Sequence, residues 1–123
     1  MRIGKMTDKY DYLIEKRYAE FKNVLQRCGC FLLSADADDI EYYIFEEFDI
    51  GVRTYMYDDM LELFLENGLI DEEIEKRCRL LRSAFVEIQP NYQELWNVQS
   101  VIKHPKWKYI LELSDEIKDL LYF

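Results

Sequence analysis

The residues best suited to catalysis are few in this chain of 123 residues. His104 is its only histidine, and no serine or cysteine nucleophile can be assigned to a nearby histidine base. We therefore predict that His104, which precedes Pro105, is a helix-cap or loop residue. No catalytic or cofactor fingerprint is present, so the sequence predicts no enzymatic activity, no catalytic residue and no cofactor.

The cysteines are the next residues that could do chemistry. Cys28, Cys30 and Cys78 form no CxxC pair, and their number is odd. A structural zinc site requires four ligands at paired spacings, which three cysteines and one histidine do not provide. The sequence predicts three free thiols.

The carboxylates could in principle hold a divalent ion. Asp36, Asp38 and Glu47 match the first, third and twelfth positions of an EF-hand loop, but Ile40 and Glu41 stand at the fifth and sixth positions. A carboxylate site between helices is the alternative, with Glu47 as its best candidate because a helical wheel places it on the inward side. Since no Glu-x-x-His pair occurs, we predict no metal site.

The acidic residues are concentrated in one part of the chain. Residues 36–75 hold fifteen acids and one base, Arg53, whereas the remainder carries +5 and the whole chain −9. Within this part, residues 36–49 combine seven carboxylates with four aromatic rings and no basic residue. A phosphate binder needs clustered Lys and Arg, and the one local cluster, residues 76–82, is expected to form a solvated face of a core helix. We predict a basic protein as the partner and no direct binding of nucleic acid.

The elements that position these acids are predicted to be helices. Only four glycines and two prolines interrupt the chain, and apolar residues recur at spacings of three and four. The sequence predicts an all-α fold, a compact bundle of five or six helices in a single domain over residues 1–123. Thr7, Asp71 and Asn91 are expected as N-caps, Gly51 as a helix break, and residues 28–34 as a helix extension, strand or turn. The expected helices are residues 7–25, 36–48, 52–67, 71–88, 91–102 and 105–121.

Helical wheels divide the two predicted acidic helices, residues 36–48 and 52–67, into inner and outer faces. At 100° per residue, Ile40, Tyr43, Ile44 and Phe48 point inward, and Phe45 and Tyr42 point outward unless they pack under a neighbouring loop. The acids of the second helix repel one another, so we expect the compensating charge on another molecule. Aromatic anchors inside a charged rim are typical of recognition surfaces. The predicted partner-binding residues are Asp38, Asp39, Tyr42, Phe45, Glu46, Asp49, Tyr55, Asp58, Asp59, Glu62 and Glu66.

A small, acidic, motif-poor chain with these segments resembles the immunity proteins that bacteria pair with polymorphic or contact-dependent toxins. The residues that carry the resemblance are 36–49 and 55–75, and the likeness is one of character, without a motif match. It implies inhibition of one cognate toxin domain, of nuclease type, by occlusion of its active site or an adjacent exosite.

Two other functions remain open. One is a phage-type nucleic-acid mimic that inhibits a host protein. The other is an oligomeric helical adaptor in which Met56, Met60, Leu61 and Leu65 form an intermolecular seam. The N-terminus has no continuous apolar signal region and no apolar run is long enough to span a membrane, so we expect no membrane partner and a cytoplasmic location.

Overall fold

The described part of the chain is mainly helical and contains no strand, which confirms the predicted all-α fold class. The computed structural model describes the backbone of residues 4–88 and 92–121 and, within them, the side chains of residues 12–88 and 94–121. A 3-10 helix, Cys30–Ser34, follows the first α-helix, and a π-helix, Glu41–Phe48, follows the second. The α-helices are α1 Gly4–Gln26, α2 Ala37–Ile40, α3 Asp49–Tyr55, α4 Asp58–Glu66, α5 Glu72–Ile88, α6 Tyr92–Leu95, α7 Val98–Lys103 and α8 Pro105–Leu121.

The core is built on the packing of α5 along α8. Helix α1 packs against α8 and α3, and α4 packs on α5. Apolar side chains spaced three and four residues apart are buried on both helices: Ile74, Cys78, Leu81, Phe85 and Ile88 on α5, and Trp107, Ile110, Leu111 and Ile117 on α8. Trp107 is fully buried, and its indole N–H donates a hydrogen bond of 2.7 Å to the carbonyl of Leu95. Regular apolar spacing therefore located these two helices correctly.

Two helices start where the sequence predicted. Asp71 accepts a hydrogen bond of 2.9 Å from the backbone N–H of Ile74, which starts α5. Pro105 is the first residue of α8, where its missing N–H costs no hydrogen bond. Nδ1 of His104 accepts a hydrogen bond of 3.1 Å from the backbone N–H of Lys106. The prediction that His104 is a helix-cap or loop residue is confirmed, and the structure has it as a cap between α7 and α8.

Gly51 does not break a helix, contrary to the prediction. It lies inside α3 and is buried, and a Cβ added there would be 2.3 Å from Cγ2 of Val24 on α1. Glycine is needed here because it lets α1 and α3 approach closely. The break falls later, at Met56, which leaves the helical conformation with φ −114° and ψ 21°. Residues 37–55 consequently form one continuous helical run, and predicted helix 52–67 is divided between α3 and α4.

Other predicted boundaries also shift. Helix α1 begins at Gly4 and so includes Thr7, the predicted N-cap. The predicted helix 91–102 is interrupted after Leu95, because Asn97 takes an extended conformation and caps α7. The predicted cap Asn91 lies outside the described residues. Residues 28–34, for which the sequence allowed a helix extension, a strand or a turn, contain the 3-10 helix Cys30–Ser34.

The middle of the run over residues 37–55 is a π-helix. The backbone N–H of Asp49 is shared between the carbonyls of Glu46 and Ile44, and the second of these, five residues earlier, is the acceptor typical of a π-helix. A π-helix has more residues per turn than an α-helix, so a wheel drawn at 100° per residue goes out of phase along it. Ile44 and Phe48 are buried as predicted, but the inward face is wider than the wheel indicates.

Candidate functional site

Four of the predicted contact residues on the first acidic helix lie at the surface. Asp38, Asp39 and Glu46 are exposed, and the side chain of Tyr42 is 46% exposed. Its hydroxyl donates a hydrogen bond of 2.5 Å to Oε1 of Glu47, and this hydrogen bond and the Glu47 charge raise the pKa of Tyr42. Tyr42 is therefore an outward-facing ring held in place by a carboxylate five residues later.

Phe45 is not an exposed ring, and the outward position predicted for it is wrong. Its ring centroid lies 4.9 Å from that of Trp96 and 6.1 Å from that of Trp107, in an edge arrangement with the latter. The alternative of packing under a neighbouring segment describes it correctly. The physical reason is the π-helix, which turns position 45 toward the core.

Asp49 is also less accessible than predicted. Its side chain is 16% exposed, and Oδ1 is buried with Nε of Arg53 3.2 Å away, an ion pair without hydrogen-bond geometry. Burial raises the pKa of Asp49, although the charge of Arg53 opposes the shift. Asp49 therefore belongs to the flank of the core and not to an open acidic surface.

Phe31 is an exposed ring that the sequence reasoning missed. It lies on the 3-10 helix, 46% exposed, with its centroid 6.1 Å from Tyr43, which in turn lies 5.8 Å from Tyr42. Nζ of Lys118 lies 5.4 Å from the centre of the Phe31 ring, and the Arg27 guanidinium lies 5.4 Å from that of Tyr43. No local sequence pattern could reveal this cluster because its members come from the turn after α1, the 3-10 helix, the π-helix and α8.

The second acidic helix is partly neutralised within the chain. Arg79 and Arg82 of α5 both pair with Asp58, the first residue of α4, and Arg79 also lies 3.9 Å from Glu62. The hydrogen bond from Arg82 is the main cause that lowers the pKa of Asp58, helped by the charges of Arg82 and Arg79. These two arginines of the basic cluster are therefore partly exposed, but their charges are paired with acids of α4.

The remaining predicted residues of this region are divided between two elements. Asp59, Glu62 and Glu66 are exposed on α4, whereas Tyr55 is half-buried at the end of α3. Tyr55 therefore does not share one helix with the acids at 58–66, because the predicted helix 52–67 is interrupted at Met56 and Tyr57.

The acids of residues 36–47, here called the first acidic segment, have no such neutralisation. Within the described ranges, none of its six carboxylates forms an ion pair with a basic side chain. Asp36 accepts the capping hydrogen bond of 3.1 Å from the backbone N–H of Asp39, and Glu47 accepts the hydrogen bond from Tyr42. The six carboxylates of the first acidic segment are those of Asp36, Asp38, Asp39, Glu41, Glu46 and Glu47. Residues 58–66, which form α4, are here called the second acidic segment.

A pocket opens beside the first acidic segment. It lies between the π-helix and the start of α7 and has a volume of about 300 Å³. Its lining combines one carboxylate, two aromatic rings, an amide and an aliphatic side chain, which are those of Glu41, Phe45, Trp96, Asn97 and Val98.

The cysteines and the acidic residues are the remaining groups that could bind a metal ion or act as nucleophiles. All three cysteines are free, as predicted, and burial raises the pKa of Cys28 and Cys78 to about 12, so neither is a thiolate at neutral pH. In the part of the chain that the structure describes, no three His, Cys, Asp or Glu side chains are grouped so as to hold a metal ion.

Comparisons with known proteins show no family. No protein-family model matches the chain, and no solved structure matches it. A mouse protein named Protein cramped-like (Mus musculus) is 32% identical over 76 residues, and the human protein of the same name (Homo sapiens) is 30% identical over 76 residues. The similarity covers 61% of this chain but 6% of each relative. The chain thus spans a small fraction of the curated relatives it matches.

The helices were also compared with the requirements of a membrane span. None of those in the described ranges combines the length and the apolar character that crossing a bilayer demands.

Proposed function

We propose that this chain is a binding protein that neutralises a basic protein partner in the cytoplasm. In its specific form, the proposal is an immunity protein that inhibits a cognate nuclease-type toxin by covering its active site or an exosite. The observation that carries it is the first acidic segment, which contains the half-exposed Tyr42 and whose six carboxylates have no ion-pair partner among the described residues.

The electrostatic part of the argument concerns charge that the fold leaves uncompensated. Carboxylates at helical spacing repel one another, and each such pair costs a few tenths of a kcal/mol. A concentrated negative field offsets this cost when a basic partner arrives, and it raises the rate of association with that partner. The second acidic segment has less of this field available, because Asp58 and Glu62 already lie near Arg79.

The aromatic part of the argument concerns Tyr42. The hydrogen bond to Glu47 fixes the orientation of this exposed ring before any partner binds. A ring that is already ordered loses less conformational entropy on binding, and tyrosine is among the residues enriched in interface hot spots. The proposed contact set is therefore Asp38, Asp39, Tyr42 and Glu46, with the exposed acids of α4 as a secondary region.

The two other functions use the same chain differently. A nucleic-acid mimic directed at a host protein would use the same acids, so the identity of the inhibited protein separates it from an immunity protein. The adaptor has less support, because Met56 and Leu61 are buried in the chain's own core and Met60 and Leu65 pack against it. Those side chains are therefore occupied within one molecule.

The test is affinity capture from the native host followed by an inhibition assay. Wild type should retain a basic protein, and Asp38→Asn combined with Glu46→Gln should retain much less of it at physiological salt. Glu15→Gln combined with Glu20→Gln removes the same charge from exposed positions on α1 and is the matched control. The purified captured protein should have nuclease activity that one equivalent of wild type abolishes. The proposal is contradicted if the variant with Asp38→Asn and Glu46→Gln captures as much of the protein as wild type does. It is also contradicted if wild type does not reduce the nuclease activity of the captured protein.

A further inference from the structure

We propose that the pocket between the π-helix and α7 receives one arginine side chain of the basic partner. This inference rests on the proposed function for the existence of the partner, and it deepens that function by naming an anchor of the interface. A volume of about 300 Å³ is at the lower end of small-molecule sites, which suits a single long side chain.

The first step is the aromatic wall. The rings of Phe45 and Trp96 line the pocket with their centroids 4.9 Å apart. The ring centroid of Trp96 also lies 5.5 Å from that of Phe85 and 6.2 Å from that of Trp107. The indole is therefore packed among aromatic core residues and has little freedom to move into the pocket. A planar guanidinium stacks on such rings and gains cation–π attraction, which is the reason for preferring arginine to lysine.

The second step is the rigidity of the opposite wall. Asn97 caps α7, since its Oδ1 accepts a hydrogen bond of 2.9 Å from the backbone N–H of Ser100. Its amide nitrogen donates at 3.1 Å to the carbonyl of Glu94, which also accepts a hydrogen bond of 2.6 Å from the Ser100 hydroxyl. These hydrogen bonds hold Asn97 in one conformation, so little conformational entropy is lost there when a ligand binds.

The third step is the sign of the charge. Glu41 is the charged residue of the lining, and among the described residues it has no ion-pair partner. Asp38 stands three residues before it, on the same side of the helix, and is exposed. Helix α7 has six residues and its N-terminus is already capped by Asn97, so its partial positive charge is smaller than the full charge of Glu41. The pocket therefore favours a planar cation that can also stack on the aromatic rings of its lining.

The experiment uses a probe that needs no partner protein. Nα-acetyl-arginine amide is titrated into the full chain while the amide resonances of Glu41, Phe45 and Val98 and the indole resonance of Trp96 are followed by NMR. We expect saturable shifts that are confined to the pocket. The citrulline analogue, which has nearly the same shape without the charge, should produce none of them.

Two substitutions test the mechanism. Glu41→Gln, at an exposed position, should weaken binding of the arginine probe by about fivefold or more. Glu15→Gln on α1 is the matched control and should leave it unchanged. The proposal is overturned if the citrulline analogue shifts the same resonances, if Glu41→Gln binds as well as wild type, or if the arginine probe causes no saturable shift up to tens of millimolar.

The two proposals fail in distinguishable ways. Binding of the arginine probe with no charge-dependent capture from the host would leave the pocket standing and remove the proposed function. Charge-dependent capture without binding of the probe would remove the pocket as an anchor and leave the function intact.

Discussion

The two acidic segments look alike in sequence but have different surroundings in the fold. Residues 36–47 and 58–66 each carry a dense set of carboxylates and apolar side chains at helical spacing. Helix α5 brings Arg79 and Arg82 onto the second segment, whereas no described basic side chain pairs with the carboxylates of the first. The comparison teaches that charge segregated along a chain need not be segregated in space.

The largest expected effect separates the two kinds of aromatic residue in the first region. Phe45→Ala removes a half-buried ring that contacts Trp96 and Trp107, so we expect it to lower the free energy of unfolding by about 2–3 kcal/mol, less than for a fully buried phenylalanine. Phe31→Ala makes the same chemical change at a position that is 46% exposed and should cost less than about 1 kcal/mol. Urea unfolding followed by circular dichroism measures both. Equal losses would mean that Phe45 is a surface ring, as the wheel predicted.

The next effect tests the neutralisation of the second segment. Asp58→Asn removes the acceptor of two arginines and should lower the midpoint of thermal unfolding at pH 7 and low salt. Asp59→Asn, at the adjacent exposed position, is the control and should leave the midpoint unchanged or slightly higher. Because the pKa of Asp58 is below its ordinary value of 3.8 in the folded state, its stabilisation is present above that value and disappears as the pH falls through the folded pKa. A loss from Asp58→Asn that persisted at the lowest pH would contradict this account.

Asp49 should behave in the opposite way. Its pKa is raised above 3.8 by burial, so the group favours folding fully only below that value, and this contribution is lost as the pH rises through the folded pKa. Asp49→Asn should therefore raise the unfolding midpoint at pH 7, and the gain over wild type should shrink on acidification. Scanning calorimetry at several pH values measures it. A lower midpoint at pH 7 would indicate that the ion pair with Arg53 outweighs the burial cost.

The smallest expected effect concerns the stability contribution of the exposed acids. Asp38→Asn combined with Glu46→Gln should change the unfolding midpoint little, because the repulsion that it removes is opposed by the loss of the attraction between Asp38 and the N-terminus of α2. The same thermal scan provides the measurement. A clear decrease would reveal a stabilising contact of these carboxylates and would remove them from the uncompensated set.

The features of the fold that could be predicted from the sequence are those that depend on regular local patterns. The positions of α5 and α8, the cap Asp71 and the helix start at Pro105 follow from local sequence patterns, and the structure has them where they were predicted. The inward turn of Phe45 could not be predicted, because the wheel assumes α-helical geometry and the segment is π-helical. The role of Gly51 depends on Val24, and the pairing of Asp58 depends on α5, so both are set by tertiary contacts that no local pattern contains.

The most direct test of the central claim is a measurement of the electrostatic potential near each backbone amide. Paramagnetic relaxation by a cationic and an anionic nitroxide co-solute of otherwise matched structure reports this potential without any partner protein. We predict that the cationic probe is enriched over the anionic one more strongly at the amides of residues 38–42 than at those of residues 58–62. Equal enrichment at the two segments, or the reverse order, would contradict the claim that the first segment is the uncompensated one.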